Sequence, residues 1–153
     1  MTRIVNLTQH TGTPTQSEQG LIEVSAEDRS ALTALLTFDS PPEAGEIDER
    51  AGAIVQIAQK YGATRAMIGG AMWLQGPLER ALFCVRIEPV YGFSRRASVE
   101  ESLPDGTVRK VQVFEHVGWV RPYKADFEVR PEAPAPAVEG WVVVCLPTKP
   151  WGG

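Results

Sequence analysis

Residues 65–93, RAMIGGAMWLQGPLERALFCVRIEPVYGF, decide the fold class. Arg65 to Ile68 is a short apolar run leaving through Gly69-Gly70, which reads as a strand entering a tight turn. A helix is expected from about Met72 to Arg86, with Trp73, Leu78, Ala81 and Leu82 facing inward and Gly76-Pro77 disturbing its first turns. Pro89 to Phe93 follows as the next strand. Strand, helix and strand with joins this short form a parallel pair linked by a crossover helix.

Upstream, the pattern repeats. Arg3-Ile-Val-Asn-Leu7 is β-branched, bounded by polar residues, and reads as a buried first strand. Thr8 to Gly20 is a polar loop with one helical turn after Pro14, and Leu21 to Val24 reads as a second short strand. Ser25 is placed to cap a helix that has Glu27 and Asp28 in its first turn and Leu32, Leu35 and Leu36 on its apolar face. After Ser40-Pro41-Pro42, a longer helix is expected to run to about Tyr61. Ile47, Ala51, Ile54, Val55 and Ala58 recur in it at spacings of three and four, and Gly62 stops it. The fold class is therefore α/β, a parallel sheet with flanking helices.

Downstream, the pattern changes. Ser98 to Ser102 and Thr107 to Phe114 flank Pro104-Asp105-Gly106, a hairpin signal, so the sheet is expected to end in an antiparallel hairpin. Val117 to Val120 either extends that hairpin or adds an edge strand. Residues 1–124 make one domain, and 125–153 form a proline-rich extension whose apolar Trp141–Leu146 stretch would dock on the sheet or on a second subunit.

Composition bounds the partners. The 153 residues suit one domain, with 43% hydrophobic and 22% charged residues, an ordinary globular mixture. No apolar run approaches a membrane span and no charged-then-apolar leader is present, so no membrane partner is expected and the cytoplasm is the expected location. The net charge of −4 is uneven, because residues 86–124 carry seven bases against five acids inside an acidic chain. This distribution fits a small compact anion and argues against long nucleic acid. Cys84 and Cys145 show no metal or redox spacing and read as two buried thiols.

Ligands of open α/β sheets bind beyond the carboxyl ends of the strands. Three stretches fall there. Thr8-Gln9-His10-Thr11 places two hydroxyls, an amide and an imidazole after the first strand, although a histidine there is more often a surface residue or a loop brace than a functional group. Gly69-Gly70 lets a ligand approach backbone amides at a helix start, or else serves only the turn. Ser94-Arg95-Arg96 sets adjacent guanidinium groups after an apolar strand, where either grips phosphate or pairs with Glu100 or Glu101. There is no HExxH, DxD or GxSxG motif, so no metal and no cofactor is expected. The chemistry that suits such residues is cleavage of a phosphodiester by the substrate's own 2′-hydroxyl, helped by His10, Arg95 or Arg96.

Asn6-Leu7-Thr8-Gln9-His10, followed by Thr13-Pro14-Thr15-Gln16, resembles the opening of small stand-alone Csx-type CRISPR accessory proteins. The segments Pro89–Arg96, Val99-Glu100-Glu101, Asp105-Gly106 and Val113–Val117 are similar to the second half of those proteins, and the likeness spans about residues 3–121. It implies a CARF-like Rossmann fold, usually a homodimer, that recognises a cyclic oligoadenylate messenger. Some members are ring nucleases that cleave it without metal and switch off type III CRISPR antiviral defence. Carried over, His10 with Thr8 and Gln9 would line the first strand end, Gly69 and Gly70 would lie under a phosphate, and Ser94, Arg95 and Arg96 would contact the ring. The leading expectation is a dimeric, metal-independent ring nuclease. The alternatives are a nucleotide-sensing module that acts through a protein partner, and an interaction protein with no nucleotide ligand.

Overall fold

The computed structural model describes residues 2–122. The proline-rich extension, its Trp141–Leu146 stretch and Cys145 lie outside the described residues.

Three residues suffice for the first strand, β1 (Ile4–Asn6), because both of its faces are buried and its burial is continuous rather than alternating. It is followed by α1 (Pro14–Glu18), β2 (Leu21–Ile22), α2 (Ala26–Leu36), α3 (Ala44–Gln59), β3 (Arg65–Met67), α4 (Met72–Cys84), β4 (Glu88–Ser102) and β5 (Val108–Val120). The sheet order is β2-β1-β3-β4-β5, parallel through β4, with β5 antiparallel at the edge. The chain crosses over β1 in passing from β2 to β3, which makes the β1/β3 boundary a topological switch point. The expected α/β parallel sheet with a C-terminal hairpin is what forms.

The helices start where local chemistry starts them. Ser25 Oγ accepts from the Asp28 amide at 3.1 Å, and Thr13 with Gln16 closes a reciprocal capping box on α1. Asp28 in turn accepts from Lys60 Nζ at 2.7 Å and from the Tyr61 hydroxyl at 2.6 Å, tying the start of α2 to the end of α3. These partners hold its carboxyl below the usual carboxylate range, Lys60 first.

Successive strand residues point to opposite faces and feed two cores. Val5, Ala66 and Ile68 meet Leu32, Ile54, Leu74, Leu78 and Leu82 of the three long helices. Ile4, Leu21, Met67 and Val90 form a smaller core with Trp119 on the other face, where, among the described residues, the short α1 and the curled β5 pack. Full burial of each leucine of the larger core contributes about 1.5–3 kcal/mol. At the sheet edge opposite the strands' carboxyl ends, Glu88 accepts from Arg65 Nε (2.7 Å) and Arg121 Nε (2.5 Å).

Three expectations are corrected. β4 does not end at Phe93 but continues to Ser102, pairing with β5 from Tyr91 onward; Val117–Val120 belongs to that hairpin. The inward row of α4 is Leu74, Leu78 and Leu82, spaced by four, so Leu78 and Leu82 point inward as expected, whereas Trp73 falls one residue off that row and stays 52% exposed, its ring edge-on to Phe38 at 5.6 Å. Cys84 is disulfide-bonded rather than a free buried thiol.

Candidate functional site

The loops after β1 and β3 enclose a cleft of about 290 Å³. Thr8, Gln9, His10 and Thr11 form one wall. Ile68, Gly69 and Gly70 form the other, leading into α4. Gln16 of α1 closes the side, with Met67 and Gly92 at the base.

A buried amide holds the first wall. Asn6 is fully buried, and its Oδ1 accepts from the Thr8 amide (3.0 Å) and the Thr8 hydroxyl (2.8 Å). Its Nδ2 donates to the His10 carbonyl (2.8 Å) and to the Glu23 carboxylate (3.1 Å). Glu23 also accepts from the Gly12 amide at 2.7 Å and from Arg29, and Arg29 donates to the Thr8 carbonyl. A neutral amide, an ion pair and four backbone groups thus fix the loop from behind. The Thr8 hydroxyl also accepts from the His10 amide at 3.3 Å, and the His10 and Thr11 side chains line the cleft.

Glycine shapes the second wall. Gly70 adopts φ +111°, a region that strains any side chain. The first amides of α4 have no acceptor within the helix, and Ala71 at its cap offers no side-chain acceptor. Gly92 keeps the base open, since a Cβ there would stand 3.2 Å from Gln16 Nε2.

Gln16 links the cleft to the ribbon. Its Oε1 accepts from the Thr13 amide at 2.9 Å, and its Nε2 lies 3.4 Å from His116 Nδ1. His116 Nε2 lies 3.1 Å from Gln19 Oε1, so the network assigns the proton to Nε2 and leaves Nδ1 to accept. Burial against Trp119 (ring centroids 4.7 Å apart) holds the imidazole below its usual pKa.

Two of the three stretches singled out in the sequence therefore meet: Thr8, Gln9, His10 and Thr11 face Gly69 and Gly70. Ser94, Arg95 and Arg96 do not line the cleft. They sit along the ribbon, where Ser94 opposes His116, Arg95 Nε bonds Glu115 at 3.1 Å, and the Arg96 guanidinium lies 5.7 Å from the Phe114 ring centroid. Their expected strand end is mid-strand. The partner of Arg95 is Glu115, not Glu100 or Glu101. Sequence reasoning missed Asn6, Gln16, Glu23 and Arg29 as site-forming residues. Of these only Gln16 left a readable signal, its capping-box position three residues after Thr13. Among the described residues no cluster of three His, Cys, Asp or Glu side chains could hold a metal ion, and no helix is long and apolar enough to cross a membrane.

A Rossmann-like sheet with a glycine-walled cleft at its switch point defines the class. The chain belongs to the family described as Uncharacterized protein MJ1673 family, whose sequence profile matches residues 2–120. No curated protein and no solved structure matches it.

Proposed function

We propose that the β1/β3 cleft binds the phosphate of a small nucleotide, that this nucleotide is a cyclic oligoadenylate, and that the protein opens the ring without metal as a type III CRISPR ring nuclease. The carrying observation is the joining, in one cleft, of His10 and Thr8 with Gly69-Gly70 and the start of α4. A phosphate seated there meets backbone amides at the positive end of a helix dipole, which favours an anion without a fixed cation. The choice of cyclic oligoadenylate rests on the Csx-type resemblance.

The reaction needs little equipment. The ribose 2′-oxygen attacks the adjacent phosphorus in line with the departing 5′-oxygen, forming a 2′,3′-cyclic phosphate and a 5′-hydroxyl. The 2′-hydroxyl proton passes to solvent, and the His10 imidazolium supplies the proton that the 5′-oxygen takes. Amides at Gly69-Gly70 spread the charge on the nonbridging oxygens.

A second reading, sensing without cleavage, is favoured by the engagement of Arg95 with Glu115 on the ribbon; among the described residues no guanidinium lines the cleft. One experiment separates the two. Purified protein is incubated with cyclic tri-, tetra- and hexa-adenylate in excess EDTA, and the products are resolved by chromatography. Linear products support the nuclease. Saturable binding without product supports the sensor. Neither binding nor product overturns both.

A further inference from the structure

Beyond Phe93, β4 and β5 continue as a two-stranded ribbon to the turn at Pro104-Asp105-Gly106. A lone hairpin is marginal in water, yet this one carries an apolar centre on one face. Alternation places Arg95, Ala97, Val99 and Glu101 of β4 there, opposite Glu115, Val113, Val111 and Arg109 of β5. Val99 and Val113 are 43% and 37% exposed. The ion pairs Arg95–Glu115 (3.1 Å) and Arg109–Glu101 (2.8 Å) close the two ends.

The face is symmetric about the Ser98–Gln112 pair. One residue away in either direction both strands are apolar, and three residues away each carries a charge. Only the polarity differs. β4 has arginine at the base and glutamate toward the tip, and β5 has the reverse.

We infer that this face is a dimerisation surface whose occupant is the same face of a second copy. The relating two-fold axis runs across the strands through Ser98 and Gln112. That rotation exchanges base and tip while keeping β4 over β4. Arg95 comes to lie over Glu101 of the partner subunit, and Glu115 over Arg109 of the partner subunit. Ala97 meets Val99 of the partner subunit, and Val113 meets Val111 of the partner subunit. Each of these charges then faces an opposite charge both within its own ribbon and across the interface, and the apolar rows close between them.

Two observations narrow the choice. A two-fold axis along the ribbon would also match the charges, but it would set both globular bodies at one end. Tyr91 packs into the helical core, and the extra residue of the bulge beside Phe93 lies on β5, so α2–α4 cover the same face of β4 that carries Arg95. Two helix layers do not fit in a gap of about 10 Å. A polyanion has no net field to follow here, because residues 94–117 carry four bases and four acids. The inference does not depend on what the cleft binds.

Charge exchange tests it. The full chain is expected to sediment as a concentration-dependent dimer. R95E/E115R keeps the ribbon's own ion pair but sets like charges across the interface, so its dimer dissociation constant should rise at least about 10-fold, while its melting temperature at concentrations where both proteins are monomeric stays that of the parent. Adding E101R/R109E restores opposition at every position, and the quadruple variant is expected to dimerise like the parent. A monomeric parent overturns the inference. So does a double variant that dimerises as tightly as the parent, or a quadruple variant that does not recover.

Discussion

The side-chain amide of Gln16 reaches to within 3.4 Å of the His116 ring across a hundred residues of sequence, joining the cleft wall to the ribbon. The amide donates and the ring accepts at Nδ1, an arrangement that requires the neutral imidazole. Burial already holds His116 below its usual pKa.

Stability should therefore follow the charge of His116. The unfolded chain takes up a proton at about pH 6.5 while the folded chain resists it, so the stability contributed by the neutral ring is complete above that value and is lost as pH falls toward the folded pKa. Thermal melts across this window should show the parent losing melting temperature as pH drops. His116→Gln should lower the melting temperature at neutral pH and flatten that slope. An unchanged slope would assign it to other groups.

Asn6 is the support of the first cleft wall. Asn6→Ala leaves the Thr8 amide without its acceptor and takes one of two donors from the His10 carbonyl in a partly buried setting, at about 1–3 kcal/mol for a group left unsatisfied. Urea unfolding is expected to show a loss of about 2 kcal/mol or more, and nucleotide binding should weaken together with stability.

Neighbouring glycines should behave differently. A Cβ at Gly69 makes only an ordinary contact, 3.6 Å from Thr8 Cγ2, whereas Gly70 holds φ +111°. Gly70→Ala is expected to cost about 1–3 kcal/mol from backbone strain. Gly69→Ala should keep its melting temperature within a few degrees of the parent and still weaken phosphate binding, because the added methyl faces the cleft. Calorimetric titration with a cyclic oligoadenylate alongside thermal melts distinguishes the two.

His10 and the arginine pair should part company in the cleavage assay. His10→Ala is expected to slow ring opening by about 10²-fold with little loss of binding, as removal of a general acid does. Arg95→Ala and Arg96→Ala should leave binding in the cleft unchanged, since neither side chain lines it. Loss of binding in either arginine variant would return the ribbon to the site.

Much of the fold was legible. The three-and-four spacing from Ile47 to Ala58 gave α3, Ser25 marked the start of α2, and Pro104-Asp105-Gly106 marked the hairpin turn, each through local chemistry that operates wherever the segment ends up. The length of β4 was not legible. Between Ser94 and Ser102 the alternation is mixed in character, because neither face of the ribbon is buried within the subunit. Arg95-Arg96 consequently looked like a strand terminus.

By itself, the sequence determined which segments become helix and strand and that glycine and hydroxyl groups follow the parallel strands, because capping, periodicity and turn geometry act over a few residues. Tertiary structure alone decided that Thr8–Thr11 and Gly69-Gly70 share a cleft while Ser94–Arg96 stand apart from it. The reason is topological. Strand order places β1 beside β3, and long-range pairing with β5, invisible to local spacing, carries the arginines away along the ribbon.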